Sequence, residues 1–260
     1  MNIHQPRKRF GQHFLRDSNI IQKIINAINP SPEQHLVEIG PGQGALTFPL
    51  LEYNCRLDLI ELDRDLITRL EPKTTIFPQV QIHHADALTF DLKSLITQQQ
   101  PLRLVGNLPY NISTPLLFHF IEAIEVIQDM TFMLQKEVVD RMIARPATAH
   151  YGRLSVMLQY HYQMTHLFDV APTAFSPPPQ VNSSVIQLLP HPTPPVEIFD
   201  QQRFAQIVSQ AFSQRRKTLR NTLKNKLTDR DLETIGINPQ RRAETLTLQE
   251  FAQLTNYTVG

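Results

Sequence analysis

His35-Leu-Val-Glu-Ile-Gly-Pro-Gly-Gln-Gly44 runs from an apolar strand straight into a glycine loop that opens a helix. Glycines at such a turn let the backbone bend sharply and approach a ligand with no Cβ in the way. The spacing is G-x-G-x-G with a proline inside, which departs from the G-x-G-x-x-G of dinucleotide binders. Taken alone, Gly40 and Gly42 suit an ordinary strand-to-helix turn as well as a ligand cradle. Outward from the loop, apolar strands are expected at 35–39, 56–62, 80–84, 102–106 and 130–134. Helices are expected between them at 64–71, 114–127 and 136–145, with Thr114 as cap and Pro115 as first helical residue of the second. An earlier helix at 18–28 gathers Ile20, Ile21, Ile24, Ile25 and Ile28 on one face, between Asp17 or Ser18 as cap and Pro30 as stop. This alternation predicts an α/β fold, a parallel sheet with helices on both faces. Two further apolar stretches, 165–170 and 181–189, are expected to close it as an antiparallel hairpin.

Two acids extend the reading of the loop. Glu61 lies 21 residues beyond Gly40, at the end of the next expected strand. A carboxylate there can accept both ribose hydroxyls of a bound nucleoside. Asp86 ends the third strand, where it can accept from an adenine amino group. One acid at a strand end is commonplace; glycine, Glu and Asp at three consecutive strand ends point to a nucleoside-containing cofactor. The absence of a Walker lysine from the loop argues against a nucleoside triphosphate.

Asn107-Leu108-Pro109-Tyr110 ends the fourth strand and is the most specific short signal in the chain. A strand-ending turn punctuated by proline would account for it structurally. The chemical reading is methylation of an exocyclic amine. The lone pair of adenine N6 is delocalised into the ring, so the nitrogen is a poor nucleophile. An Asn oxygen and a backbone carbonyl can accept its two hydrogens and steer it towards tetrahedral geometry. Pro109 brings no competing amide donor, and Tyr110 offers a face on which a base stacks, worth roughly 1–3 kcal/mol.

The 260 residues are 41% apolar and 19% charged, enough to bury a core and too apolar for wholesale disorder. A single cysteine, Cys55, excludes a disulfide framework and a Cys-cluster zinc site. The histidines, among them His83, His119, His161 and His166, show no metal-ligand spacing, and G-x-S-x-G is absent. No signal-peptide run follows Arg7-Lys8-Arg9, and polar residues and prolines interrupt the uncharged stretch 104–120, so a soluble, intracellular protein is expected. The net charge of +1 hides an asymmetry: residues 33–129 hold 13 acids against 6 bases, whereas 203–226 hold seven bases and no acid. Arg216, Arg220 and Lys224 recur at spacing four beside Arg215 and Lys217, opposite Leu219, Leu223 and Leu227. That pattern predicts a basic helical stripe, either a solvated face or an anion-binding one. Pro190, Pro192, Pro194 and Pro195 form a stiff connector. The expected domains are therefore 1–190 and a small helical one at 196–260.

With these motifs the chain resembles the ribosomal RNA adenine dimethyltransferases, and within them the bacterial small-subunit branch. The matching stretches include 8–15, the glycine loop, 61–65, 106–118, 133–141, 151–159, 175–184 and 211–221. The resemblance implies a class I methyltransferase fold: a Rossmann-like sheet of seven strands, the last antiparallel, then a small helical domain. It implies S-adenosylmethionine as cofactor, without a metal, held by His13, Leu15, Gly40, Glu61, Asp86 and Asn107. Many relatives have Asn where this chain has His13, whose imidazole also donates and accepts. Phe175 aligns with an aromatic that lies against the target base, although a core phenylalanine beside a proline turn is an equal reading of Ala174-Phe-Ser-Pro-Pro-Pro179. RNA contact is implied for Arg215, Arg216, Lys217, Arg220 and Lys224, with Lys8, Arg9 and Arg16 as a second patch. The implied reaction dimethylates N6 of two adjacent adenosines in the hairpin near the 3′ end of 16S rRNA, within an immature small subunit, by a cytoplasmic monomer. A large-subunit enzyme modifying one adenosine, or an assembly checkpoint whose binding outweighs its chemistry, are the competing expectations.

Overall fold

A computed structural model describes residues 13–96 and 100–259. Lys8 and Arg9 lie outside the described residues. The strands are β1 (Phe14–Leu15), β2 (His35–Ile39), β3 (Arg56–Glu61), β4 (Val80–His84), β5 (Leu102–Asn107), β6 (Ile127–Gln135), β7 (Tyr162–Val170), β8 (Phe175–Ser176) and β9 (Ser183–Pro190). The α-helices are α1 (Ser18–Ile28), α2 (Thr47–Leu51), α3 (Arg64–Thr74), α4 (Ser113–Glu122), α5 (Lys136–Met142), α6 (Arg153–His161), α7 (Gln201–Ala211), α8 (Leu219–Thr222), α9 (Asp229–Thr234) and α10 (Leu248–Tyr257).

The main sheet has seven strands in the order β4-β3-β2-β5-β6-β9-β7. Strands β2 to β6 are parallel to their neighbours and β9 is antiparallel to β6. The order reverses beside β2, between β3 and β5, which is where open α/β sheets gather ligands. A second, two-stranded sheet pairs Leu15 of β1 with Phe175 of β8. Helix α1 forms as its isoleucines require. Asp17 caps it through bonds from the amides of Asn19 and Ile20, Asn29 ends it in a left-handed conformation, and Ile24, Ile25 and Ile28 are buried.

Several boundaries depart from the sequence expectation for physical reasons. The expected helix at 114–127 ends at Glu122, and β6 begins already at Ile127 rather than at 130. A buried ion pair, Arg103 Nε to Asp129 Oδ2 at 2.9 Å, draws into the sheet an acid, Asp129, that pattern alone leaves outside the strand. Arg103 also donates to the carbonyls of Ile28 and Asn29, tying the end of α1 to β5. Helix α4 starts at Ser113, so Thr114 is not its cap and Pro115 sits third, still in the first turn where no amide partner is lost. Helix α5 stops at Met142 rather than at 145.

Packing divides the chain into two units. One holds the described residues up to Val139 with Met164–Pro190; the other holds Asp140–Gln163 with the residues from His191 onward. The connector at 190–195 thus does not by itself part them, because 140–163 goes with the C-terminal helices. Within that unit Tyr160 meets Phe204 at 5.0 Å and Phe212 meets Phe251 at 5.7 Å between ring centroids. Helices α9 and α10 begin with capping boxes, Thr228 with Asp231 and Thr247 with Glu250. Helix α6 was not expected: Leu154, Val156, Met157, Leu158 and Tyr160 are buried around it, leaving no polar face to set a 3.6-residue stripe. Among the described residues no helix is long and apolar enough to cross a membrane.

Candidate functional site

The glycine loop leaves β2 with Gly40, Gly42 and Gly44 all at positive φ. Gly40 donates its amide to the Ile60 carbonyl at 2.9 Å, and a Cβ on Gly44 would run into the Phe48 ring. These positions accept glycine alone without strain. On the neighbouring strand Gly106 brings β5 hard against β2, since a Cβ there would stand 2.5 Å from the Ile39 carbonyl oxygen. The loops after β2, β3, β4 and β5, with the segment 13–15, enclose a cleft of 340 Å³. His13, Leu15, Gly40, Gly42, Glu61, Asp86, Asn107, Leu108, Pro109 and Tyr110 all line it.

Glu61, 8% exposed, ties the loops together. Its Oε2 accepts from the Gly42 amide at 3.1 Å, and its Oε1 from the amides of Leu62 and Asp63 at 2.9 Å. Burial pushes its carboxyl above the usual range, although these N–H groups pull the other way. Beneath the loop lies a second carboxyl, to which the sequence motif assigns no role. Glu38 accepts from the Thr47 hydroxyl at 2.6 Å, and burial pushes its pKa up to about 7. Asp86 accepts from the Leu88 amide at 2.9 Å, which turns the loop after β4 and sets that residue in the cleft wall.

Asn107 donates its side-chain amide to the His13 carbonyl at 3.1 Å, so the carboxamide oxygen is the group left for a ligand. Leu108 is held by its backbone N–H, which donates to the Met133 carbonyl at 3.1 Å. The His13 ring bonds the Pro177 carbonyl through Nδ1 at 2.8 Å and stacks on Tyr110, with centroids 5.6 Å apart. The Tyr110 hydroxyl pairs with the Ser183 hydroxyl at 2.6 Å, a partner that sequence reasoning missed. Burial pushes the Tyr110 phenol up, so it remains protonated near neutral pH.

Other residues fall elsewhere. Phe175 is 4% exposed and packs with Leu15, Ile24, Ile25 and Val185 in the core, so the structure favours the core reading over contact with a base. The basic stripe is not a helical face. Residues 213–218 form turns, α8 spans only Leu219–Thr222, and Leu219, Leu223 and Leu227 are buried by a folded-back chain rather than by one long helix. Arg215, Arg216, Lys217, Arg220 and Lys224 are nonetheless all exposed. Arg215 bonds the Ala149 carbonyl at 2.6 Å, and Arg220 pairs with Asp229. Arg16 reaches Gln43 of the glycine loop at 2.5 Å. His83 pairs with the buried Asp58 at 2.5 Å, His119 with the Phe90 carbonyl and His166 with Asp169, so each serves the fold. Cys55 is buried. Among the described residues no group of three or more His, Cys, Asp or Glu could hold a metal ion.

A parallel sheet of this order, a glycine loop at its switch point and acids on the next two strand ends define a Rossmann-like methyltransferase fold. Solved structures agree. A dimethyladenosine transferase from Plasmodium falciparum superposes with a TM-score of 0.78 at 24% identity, covering 93% of this chain and 96% of that one. The 23S rRNA methyltransferase ErmE gives a TM-score of 0.71 at 24% identity, covering 95% and 100%. Residues 3–259 match the family model described as ribosomal RNA adenine dimethylase. The ribosomal RNA small subunit methyltransferase A of Laribacter hongkongensis is 54% identical over 98% of this chain and 97% of its own length. That of Aromatoleum aromaticum is 53% identical over 99% and 96%. The chain belongs to the ribosomal RNA adenine dimethylase family, and is an enzyme of it.

Proposed function

We propose that this protein transfers four methyl groups from S-adenosylmethionine to N6 of two adjacent adenosines in the hairpin near the 3′ end of 16S rRNA. The observation that carries this reading is the fixed orientation of Asn107, with its amide spent on the His13 carbonyl and its oxygen left to accept. The small-subunit relatives, matched over nearly their whole length, favour this substrate over large-subunit rRNA.

The residues suit the cofactor. The cleft volume falls within the 300–1,000 Å³ of small-ligand sites. The loop around Gly40 and Gly42 leaves backbone where a Cβ would otherwise project. Glu61 and Asp86 supply acceptors for the ribose hydroxyls and the adenine amine, and His13, Leu15 and Asn107 complete the wall. When bound, the cofactor supplies an electrophilic methyl group on a positively charged sulfur.

The chain's own work is positioning. The Asn107 oxygen and the Leu108 carbonyl accept the two N6 hydrogens of the target adenine and free its lone pair for in-line attack. Pro109 keeps a competing amide away. His13 backs one face of Tyr110, and the base stacks on the other. The methylated nitrogen is strongly acidic and gives its proton to water, so no side chain acts as general base. Holding two reactants in line accounts for several kcal/mol of barrier. Arg216, Lys217 and Lys224, with Arg215 and Arg220, are assigned to the RNA backbone, in the helical part of the chain at 196–260. The target is rRNA in an immature small subunit, met by a monomer in the cytoplasm. Mass spectrometry of rRNA from a deletion strain, with and without this gene restored, tests the reading. Restored dimethyladenosine in 16S rRNA supports it, and its absence refutes it.

A further inference from the structure

Ser183 opens β9 and is fully buried. The sheet register explains why it meets Tyr110. Asn107 of β5 lies opposite Met133 of β6, Met133 lies opposite Val185 of β9, and Gln135 lies opposite Ser183. Two residues beyond that shared row, β6 reaches Gln135 and the antiparallel β9 has reached back to Ser183. Tyr110, three residues past Asn107, stretches across the end of β6 and sets its hydroxyl 2.6 Å from Ser183 Oγ. Strand alternation turns the next residue the other way: Ser184 donates to Asp169 at 2.6 Å. The two consecutive serines therefore serve different elements, and only Ser183 faces the cleft loop. The Tyr110 ring is held from its face as well, because the stacked His13 is anchored to the Pro177 carbonyl in the segment leading to Ser183.

We propose that Ser183 is a positioning residue for methyl transfer, holding the Tyr110 ring, through its hydroxyl, at the angle at which the target adenine stacks. The inference rests on the reading of Tyr110 as the base platform. Phenylalanine at 110 would keep the stacking surface and lose the tether, so stacking area and ring placement are separable properties of this site. Tyr110 lines the cleft and Ser183 does not, so the effect proposed for Ser183 passes through Tyr110.

The test is a double-mutant cycle on the full chain with unmethylated small subunits as substrate. Transfer is measured for the parent, Ser183→Ala, Tyr110→Phe and the double variant, with cofactor affinity and stoichiometry measured by calorimetry. Each single variant is expected to lose roughly five- to tenfold in kcat/KM for the subunit, the scale of one hydrogen bond. The double variant is expected to lose no more than either single one, and cofactor binding to stay parental. Additive losses, parental transfer in either single variant, or a loss matched by fewer cofactor-binding sites would overturn the inference. If Ser183→Ala does not fold, Tyr110→Phe against the parent carries the same decision. Tyr110→Ala separates the two levels: parental transfer there removes the platform and the tether with it, whereas a crippled Tyr110→Ala beside a parental Ser183→Ala removes the tether alone.

Discussion

Asn107 spends its side-chain N–H on the backbone carbonyl of His13, 94 residues earlier, at 3.1 Å. The bond decides which end of the carboxamide faces the cleft, and it joins the His13 segment to the strand end to which we assign the chemistry. Asn107→Asp keeps an acceptor oxygen but sets a carboxylate against the His13 carbonyl. Such a mismatch costs on the order of 1–3 kcal/mol. Transfer should fall by tenfold or more in a single-turnover assay. Parental rates would mean that the His13 contact does not orient the site.

Glu61→Gln should weaken cofactor binding. Three backbone amides converge on the carboxylate, and a carboxamide offers one acceptor oxygen in place of two. The cost is roughly 1.5–3 kcal/mol in binding free energy, read by calorimetry because the chain has no tryptophan. Unchanged affinity would take Glu61 out of the site.

Glu38 makes the free protein's stability depend on pH in a defined direction. Its folded pKa of about 7 lies above the 4.5 of an ordinary glutamate, so between those values the folded state binds more protons than the unfolded one. Stability from this group therefore falls as pH rises from 4.5 to 7. Glu38→Gln keeps an acceptor for Thr47 and removes the titration. Compared with the parent, the variant should gain up to about 3 kcal/mol between pH 5 and pH 8 in denaturant titrations. Parallel curves for the two proteins would show that Glu38 does not titrate there.

Gly106→Ala should destabilise the protein by about 1–3 kcal/mol, the usual cost of overpacking. The obstacle is the Ile39 carbonyl, which cannot retreat without disturbing the β2–β5 pairing. A melting temperature equal to the parent's would show that the strands can part at no cost.

Charge reversal of Arg216 and Lys217 should weaken RNA binding and flatten its salt dependence. The slope of log affinity against log salt should shrink by roughly 1 for each phosphate no longer neutralised. Arg220 is a poorer probe, since Asp229 already pairs with it. An identical slope in variant and parent would place this segment away from RNA.

Much of this architecture is legible in the chain because its signals are local. A strand, a glycine loop and an acid at each following strand end can be read without knowing what packs on them. Asn107 and Tyr110 stand out because proline and tyrosine at a strand end have few other uses. Ser183 is silent, since a serine in an apolar strand looks the same whether it bonds its own backbone or a ring across the sheet. Helix α6 is silent because burial on most sides erases its period, and β6 is misjudged because Asp129 reads as a loop residue until Arg103 is placed beside it. The basic segment misleads in the other direction: its leucines recur at spacing four, yet turns separate them and only the final fold buries them together.

The most direct test of the central claim is transfer by the purified protein itself. Unmethylated small subunits would be incubated with S-adenosylmethionine carrying a labelled methyl group, and the rRNA digested to nucleosides for mass spectrometry. Four labelled methyl groups per subunit, all in N6,N6-dimethyladenosine at two adjacent positions of 16S rRNA, are the predicted result. Label in monomethyladenosine alone, in 23S rRNA, or in no nucleoside at all would contradict the account.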